Sequence, residues 1–350
     1  MSWFVVECLA SLPEPMTIVC KDGDARAWTS LRTLHRHEFV DIEDLLDSVR
    51  RNGTPIQRVI RAGDGSMRLI DIRPVIGPAG DAHGMHLWIG PDTEDPPPHC
   101  PASGMSWNLD DLQVRVTEQW WRNWRGPDSV DTKPSLTLSP PEFFRNVVRF
   151  DRIEELLVQA SDPDATTAHR SSTVVLHDLG YLMTWYNVAR GRKDEQHNGM
   201  RGLAIDVTDT NPPVISPVEV RDLSAGAGSF SARKEGWWTE PPPDDETTAA
   251  ALLAYSPRLR MPVIAEWISR VPSWIDWERE GDPVTFHPDD HNALQRTFET
   301  LAGNSETTTP ARIRAFTETG WQSVMVTSRR YPGDVGNHLH IVRIVKTANN

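Results

Sequence analysis

Twelve histidines and three cysteines are the side chains here with the widest chemical repertoire. His338 and His340 alternate, so a strand would set both on one sheet face as a pair of metal ligands. No carboxylate or cysteine at fixed spacing completes that set, and a solvent-facing or ring-stacking role fits the pair better. His35 and His37 flank Arg36, whose charge repels a cation. His177-Asp178 has the elements of a base and its orienter, yet it falls where a strand should end and reads as a turn. His291 has Asp289, Asp290 and Asn292 beside it, which predicts a wet first helical turn rather than an axial haem ligand. Asp41, Asp44, Asp151, Glu154, Asp289 and Asp290 all stand at expected helix starts, where capping and the helix dipole account for them. Cys8, Cys20 and Cys100 are odd in number and unpatterned in spacing, which argues against a disulfide framework and a cysteine-rich zinc site. Nucleotide-loop, zinc-protease, nucleophile-elbow and dinucleotide-binding motifs are not found. These features lead to an expectation of no catalytic residues, no metal and no enzyme activity.

The elements that would position these residues repeat. Gly84-Met85-His86-Leu87-Trp88-Ile89 follows a turn at Gly80-Asp81, and Gly336-Asn337-His338-Leu339-His340-Ile341 follows one at Gly333-Asp334. Gly199-Met200-Arg201-Gly202-Leu203-Ala204-Ile205 shares the Gly-Met entry of the first. Each reads as the closing strand of a unit. Two helices repeat as well: Phe39-Val40-Asp41-Ile42-Glu43-Asp44-Leu45-Leu46 is echoed by Phe150-Asp151-Arg152-Ile153-Glu154-Glu155-Leu156-Leu157. Helix and last strand recurring in the same order point to one fold written three times.

The 350 residues suit two or three domains. The division expected is a sensor-like unit at 1–92, a Pro-rich linker at 93–104, a second unit at 105–210, a long Pro/Gly/Ser linker at 211–246, and a third unit at 247–346. The second unit should open on an amphipathic helix from Leu109 to Trp124, with Leu109, Leu112, Val116, Trp120 and Trp124 on one stripe. That stripe packs either on its own domain or between domains or subunits. Trp120, Trp121 and Trp124 favour carrying the interface reading. Trp237 and Trp238, adjacent in the second linker, should dock on a domain surface.

A net charge of −13 disfavours nonspecific nucleic acid and anionic membranes. No apolar run of about 18 residues predicts a membrane span, and the first residues lack the basic start of a signal peptide. The expected setting is soluble and cytoplasmic.

Phe286-His287-Pro288-Asp289-Asp290, a helix, Arg312-Ile313-Arg314 and three strands together resemble the second half of a PAS sensor domain. Gly202-Leu203-Ala204-Ile205-Asp206-Val207-Thr208-Asp209 resembles the last strand of that family. Leu9-Ala10-Ser11-Leu12-Pro13-Glu14-Pro15-Met16 resembles its first. The related GAF fold is an alternative for any one unit, the middle one above all, and the whole is similar to actinobacterial triple sensor-domain proteins. The resemblance implies an α+β fold: three PAS/GAF-like domains, each a five-stranded antiparallel sheet with short helices on one face. It also implies that a haem, flavin or metabolite sits between helices and sheet, or that nothing does; no haem or flavin signature is present. Candidate pocket residues are Ile70, Ile72, Trp185, Val324 and Val326, with Trp321 as a cap; plain core is the competing role for each. The function expected is non-catalytic sensing or regulation through an unidentified effector protein, such as a signalling kinase or regulator, or through self-association. The alternatives are a binder of a lipid or aromatic metabolite, or an enzyme of unrecognised type.

Overall fold

The computed structural model describes residues 1–11, 14–38, 40–108, 113–125, 135–144, 147–152, 155–156, 159, 167–177, 181–193, 198–214, 246–256, 261–277, 282, 284–301, 305–330 and 339–347. Three antiparallel sheets carry the fold. The first contains β1 (Ser2–Glu7), β2 (Thr17–Lys21), β3 (Asp24–Ser30), β4 (Ile56–Arg61), β5 (Met67–Ile76) and β6 (Ala82–Pro91), in the order β3-β2-β1-β6-β5-β4. The second contains β7 (Ala102–Asn108), β8 (Gln113–Val116), β9 (Thr137–Leu138), β10 (Val147–Phe150), β11 (Ala168–Leu176), β12 (Leu182–Lys193) and β13 (Asn198–Asp206), ordered β10-β11-β12-β13-β7-β8-β9. The third contains β14 (Thr248–Ser256), β15 (Met261–Trp267), β16 (Glu306–Arg314), β17 (Trp321–Arg330) and β18 (Leu339–Lys346), ordered β15-β14-β18-β17-β16.

In each sheet the last strand lies between the unit's first strand and its penultimate one: β6, β13 and β18 hold equivalent central places. The three closing strands picked out by their repeated letters are therefore the strands on which the sheets are centred. The expected α+β plan of five-stranded sheets with helices on one face is overturned. The sheets have six, seven and five strands, and strand rather than helix makes up most of the molecule.

Both faces of these sheets are apolar, which is why they stack instead of each carrying its own layer of helices. β6 is buried over nearly its whole length rather than at alternate positions, and so are β13 and β15. One face of the first sheet packs Phe4, Ile70, Ile72 and Leu87 under α1 (Arg32–His37) and α2 (Glu43–Asn52). Leu46 and Val49 of α2 lie against that face. The helix ends where Gly53, at a φ of 63°, takes the left-handed conformation. The other face packs Val5, Val19 and Val75 against Tyr186, Val188, Leu203 and Ile205 of the second sheet. Gly84 and Gly104 permit this approach: a Cβ on Gly84 would lie 2.6 Å from Cδ1 of Leu203 across the layer, and one on Gly104 2.7 Å from the Ile76 carbonyl oxygen.

The second sheet's far face shares a core with Ala250, Leu252, Leu339 and Ile341 of the third. The third sheet's outer face packs Val324, Val326, Val342 and Ile344 under Leu294 and Phe298 of the last described helix, His291–Thr300.

The segment at 93–104, expected to be a Pro-rich linker, lies against the first sheet: Trp3 Nε1 donates to the Pro97 carbonyl at 2.8 Å, His99 stacks on His86 at 3.8 Å, and β7 begins at Ala102. One sequence expectation changes further on. The expected Leu109–Trp124 helix is split in its described part, strand over Gln113–Val116 and helix from Glu118. Val114 and Val116 are buried and Arg115 exposed, a period of two, so β8 forms there. Only Glu118–Arg125 is helical, as α3.

A charged cluster crosses the layer between the first two sheets. Arg201 of β13 is 3% exposed. It donates from Nη2 to Asp81 Oδ2 at 2.6 Å and from Nη1 to the Leu9 carbonyl at 2.8 Å. Its Nε donates to His83 Nε2 at 3.2 Å, and His83 Nδ1 donates to the Gly202 carbonyl at 3.0 Å, so His83 is held as the Nδ1–H tautomer. Glu7, fully buried, accepts from Arg190 at 2.9 Å, from Thr17 Oγ1 at 2.6 Å and from the Leu9 N–H at 2.9 Å. Removing one partner of such a buried pair leaves an uncompensated charge. Arg201→Met is expected to cost about 3–5 kcal/mol in urea unfolding, and a loss under ~1 kcal/mol would show that the cluster does not hold the sheets together.

Candidate functional site

Aromatic side chains crowd the second sheet's face toward the third. Trp120 and Trp124 sit one turn apart on α3, with ring centroids 4.5 Å apart. Trp185 of β12 meets both edge to face, at 5.7 and 5.6 Å. A second short helix, α4 (Pro140–Phe144), brings Phe143 onto Trp120 with centroids 5.8 Å apart and rings nearly parallel. Large flat rings meeting at these angles leave space between them. A cavity of about 50 Å³ lies there, lined by these rings and by Met105, Trp107, Phe150, His169 and Asn187.

The lining is apolar, and four indole N–H groups stand among its few polar atoms. Trp107, Trp120, Trp124 and Trp185 bury their indole N–H groups without a hydrogen-bond partner among the described residues, and so does His169 with both ring nitrogens. Asn187 differs, since its Nδ2 donates to Thr173 Oγ1 at 2.8 Å. Trp121, on the outer side of α3, donates from Nε1 to the Ser135 carbonyl at 2.7 Å. His169 is pushed down to about 4, by burial first and then by the Arg152 charge, so it is neutral at pH 7. A pocket of neutral donors favours an uncharged planar molecule carrying an acceptor oxygen, and desolvating an anion here would go uncompensated.

Two elements around the cavity pack on the third unit. Trp107 packs on Met261 and Val263 of β15, and α4 packs on the same strand. A larger cleft of about 340 Å³ lies between α1 and α2, lined by Arg32, His35, Arg36, Asp41 and Glu43. Its charges are of both signs and none of those five side chains is buried, so the tryptophan cavity is the stronger candidate.

The residues expected to line one pocket are dispersed. Ile70 and Ile72 are core of the first sheet, and Val324 and Val326 core of the third. Trp321 lies beside His287 at 4.7 Å, with the Arg314 guanidinium 5.7 Å from its ring. Trp185, expected in a pocket, meets Trp120 and Trp124, expected at an interface; the structure joins the two roles. Trp237, Trp238 and His338 lie outside the described residues. His340 is buried and stacks on Phe298 at 4.3 Å. His291 Nε2 donates to the Phe286 carbonyl at 2.9 Å. His169, Asn187 and Trp107 were not singled out from sequence. The alternation His169, Ser171, Thr173, Val175 was the available signal, and it places all four on the cavity face of β11.

Residues 2–98 match the family model described as Rv3651-like, N-terminal. A solved crystal structure of an uncharacterised protein from Mycobacterium tuberculosis is similar from end to end: TM-score 0.73 and 16% identity, over 99% of this chain and 97% of that one. That likeness shows a shared fold. An RNA-binding light-oxygen-voltage receptor is 9% identical over 69% of this chain and 94% of its own, but its TM-score of 0.22 carries no argument. No curated protein matches the chain.

The acid response of the cavity follows from His169. Its folded pKa of about 4 lies below the ordinary 6.5, so the unfolded chain takes up the proton first as pH falls. The stability tied to the neutral ring is complete above pH 6.5 and is lost between 6.5 and about 4, amounting to roughly 3 kcal/mol. His169→Phe should flatten that part of the pH–stability curve by urea unfolding while leaving the pH 7 value nearly unchanged. An unaltered acid slope would show that His169 is not the group responsible.

Proposed function

We propose that this chain is a non-catalytic regulatory protein of the cytoplasm that senses a small uncharged aromatic or apolar molecule in the tryptophan-lined cavity and passes the event to a partner protein. The observation that carries this reading is the cavity itself: an apolar space ringed by unpartnered indole N–H groups where the second unit meets the third. The resemblance of the chain's helix and strand phrases to PAS-type sensors supports a sensory role.

Size gives the reading its mechanism. A dry cavity that binds benzene measures about 150 Å³, three times the space present. Entry of an aromatic ring therefore displaces a lining side chain. Trp107 packs on the third unit's β15, and α4, which carries Phe143, contacts the same strand. A ligand that favours the displaced arrangement shifts the population of that contact, which is what a sensor must do to be read by a partner. A lipid with a long chain would require more displacement than a single ring.

The test uses the full chain and acetophenone, a neutral aromatic ketone. Saturable quenching of tryptophan fluorescence is expected. So is a stability gain approaching about 2.7 kcal/mol at ~100 times Kd, together with altered hydrogen exchange in α3, α4 and β15. Mass spectrometry of the denatured, freshly purified protein should also release a neutral small molecule. Neither saturable binding nor a released molecule would sink the ligand reading. Binding that leaves exchange in β15 unchanged would sink the regulatory one.

A further inference from the structure

Cys20 and Cys100 come from opposite ends of the first unit and meet in the layer between the first two sheets. Cys20 lies on β2, opposite Val5 of β1, and is fully buried among Val5, Val19, Val75 and Ile205. Cys100 is half-buried at the end of the segment that leads into β7 and packs against the same cluster. The two thiols pack in one cluster and are both free. Their proximity holds the Cys100 thiol below its ordinary value and raises Cys20, to which burial adds. Cys8 is different. It is buried apart from this pair, its Sγ donates to the Ala82 carbonyl at 3.2 Å, and burial pushes it up to about 12.

We propose that Cys20 and Cys100 form a redox-active pair, oxidised by hydroperoxides to a disulfide that fastens the first sheet to the strand entering the second. Cys100 is the attacking thiol because it is the more exposed and the more readily ionised. Its thiolate attacks the terminal oxygen of the hydroperoxide and the O–O bond breaks. The departing alkoxide takes up a proton, and Cys100 becomes a sulfenic acid, oxidised by two electrons. Cys20 sulfur then attacks Cys100 sulfur, the S–O bond breaks, and hydroxide leaves with the Cys20 proton as water. Two thiols and one hydroperoxide give one disulfide, one alcohol and one water. Cys20 is placed to resolve the sulfenic acid because it belongs to the cluster on which Cys100 packs. The half-exposed position of Cys100 gives oxidant and reductant access that Cys20 lacks.

The bridge would lie on the side of the second sheet away from the tryptophan cavity, so this proposal stands independently of the ligand reading. The experiment treats the full-length protein with tert-butyl hydroperoxide at neutral pH, removes excess, unfolds it and counts thiols. One reactive thiol of the three should remain, the mass should fall by two hydrogens, and a peptide linking Cys20 to Cys100 should appear and vanish with dithiothreitol. Cys8→Ser should oxidise as the wild type does, leaving no reactive thiol. Cys100→Ser should retain both remaining thiols, and Cys20→Ala should stop at an oxygen adduct on Cys100. Three thiols surviving in the wild type, or a stable oxygen adduct on Cys100 with Cys20 present, would overturn the proposal. Because the decisive readout is on the wild-type chain, misfolding of a variant would not rescue it.

Discussion

Arg201 leaves β13, crosses the layer between two sheets and finds Asp81, His83 and two backbone carbonyls waiting for it. A buried guanidinium is an expensive device, since apolar residues of the same volume would often stabilise as well. What it adds is registry. Two flat apolar faces slide over one another at little energetic cost, whereas five donors in a rigid fork accept one arrangement. Glu7 and Arg190 repeat the device a strand away in the same sense, acid on the first sheet and base on the second. With the sheets fixed at both points, Gly104 meets the other sheet's backbone and Gly84 its Leu203 side chain, and the dry layer of Val5, Val75, Val188 and Leu203 closes around them. The second sheet is thereby pinned on one face, and any freedom in its packing is left to the other.

The freer face is the one with the cavity. Its core is built from tryptophan and phenylalanine, whose shapes tile poorly, and from short helices of five and eight residues. Aliphatic side chains fill gaps better and are what the pinned face uses. A face that leaves space and buries donors without a partner among the described residues has given up stability, and natural cores tend to do so where something binds. His169 belongs to the same pattern: a neutral imidazole among apolar rings adds a penalty on acidification and nothing to packing that phenylalanine would not supply.

Much of the architecture was legible in the letters. The closing strands announced themselves because β6, β13 and β18 each lie at a sheet's centre and carry similar demands on both faces. Their glycines were read as turn and sheet residues, yet Gly84 is needed for sheet-on-sheet approach, a tertiary reason invisible in one strand. The fold class was misjudged for a related cause. Alternation at Ile70, Ile72 or at Leu203, Ile205 looked like a sheet with one wet face; the residues between them are buried too, against a partner several dozen residues away. Val116, Trp120 and Trp124 share a spacing of four that suits a helix, but Val114-Arg115-Val116 alternates, and pairing with β7 decided in favour of strand.

The site was half legible. Tryptophan content drew attention to Trp120, Trp124 and Trp185 separately, because each is unusual where it stands. Their convergence depends on β8 turning into α3 and on β12 crossing beneath it, and neither follows from local pattern. The polar members were harder still, since a histidine on an apolar strand reads as core until its unpartnered nitrogens are seen. The three units are thus one strand plan under different burdens. The first is clamped by charge, the third covers its outer face with a helix, and the middle one, sandwiched between them, is left to bury mismatched rings. Sensing, if it resides anywhere in such a stack, belongs in the layer whose packing is least complete and whose neighbours on both sides would register a change.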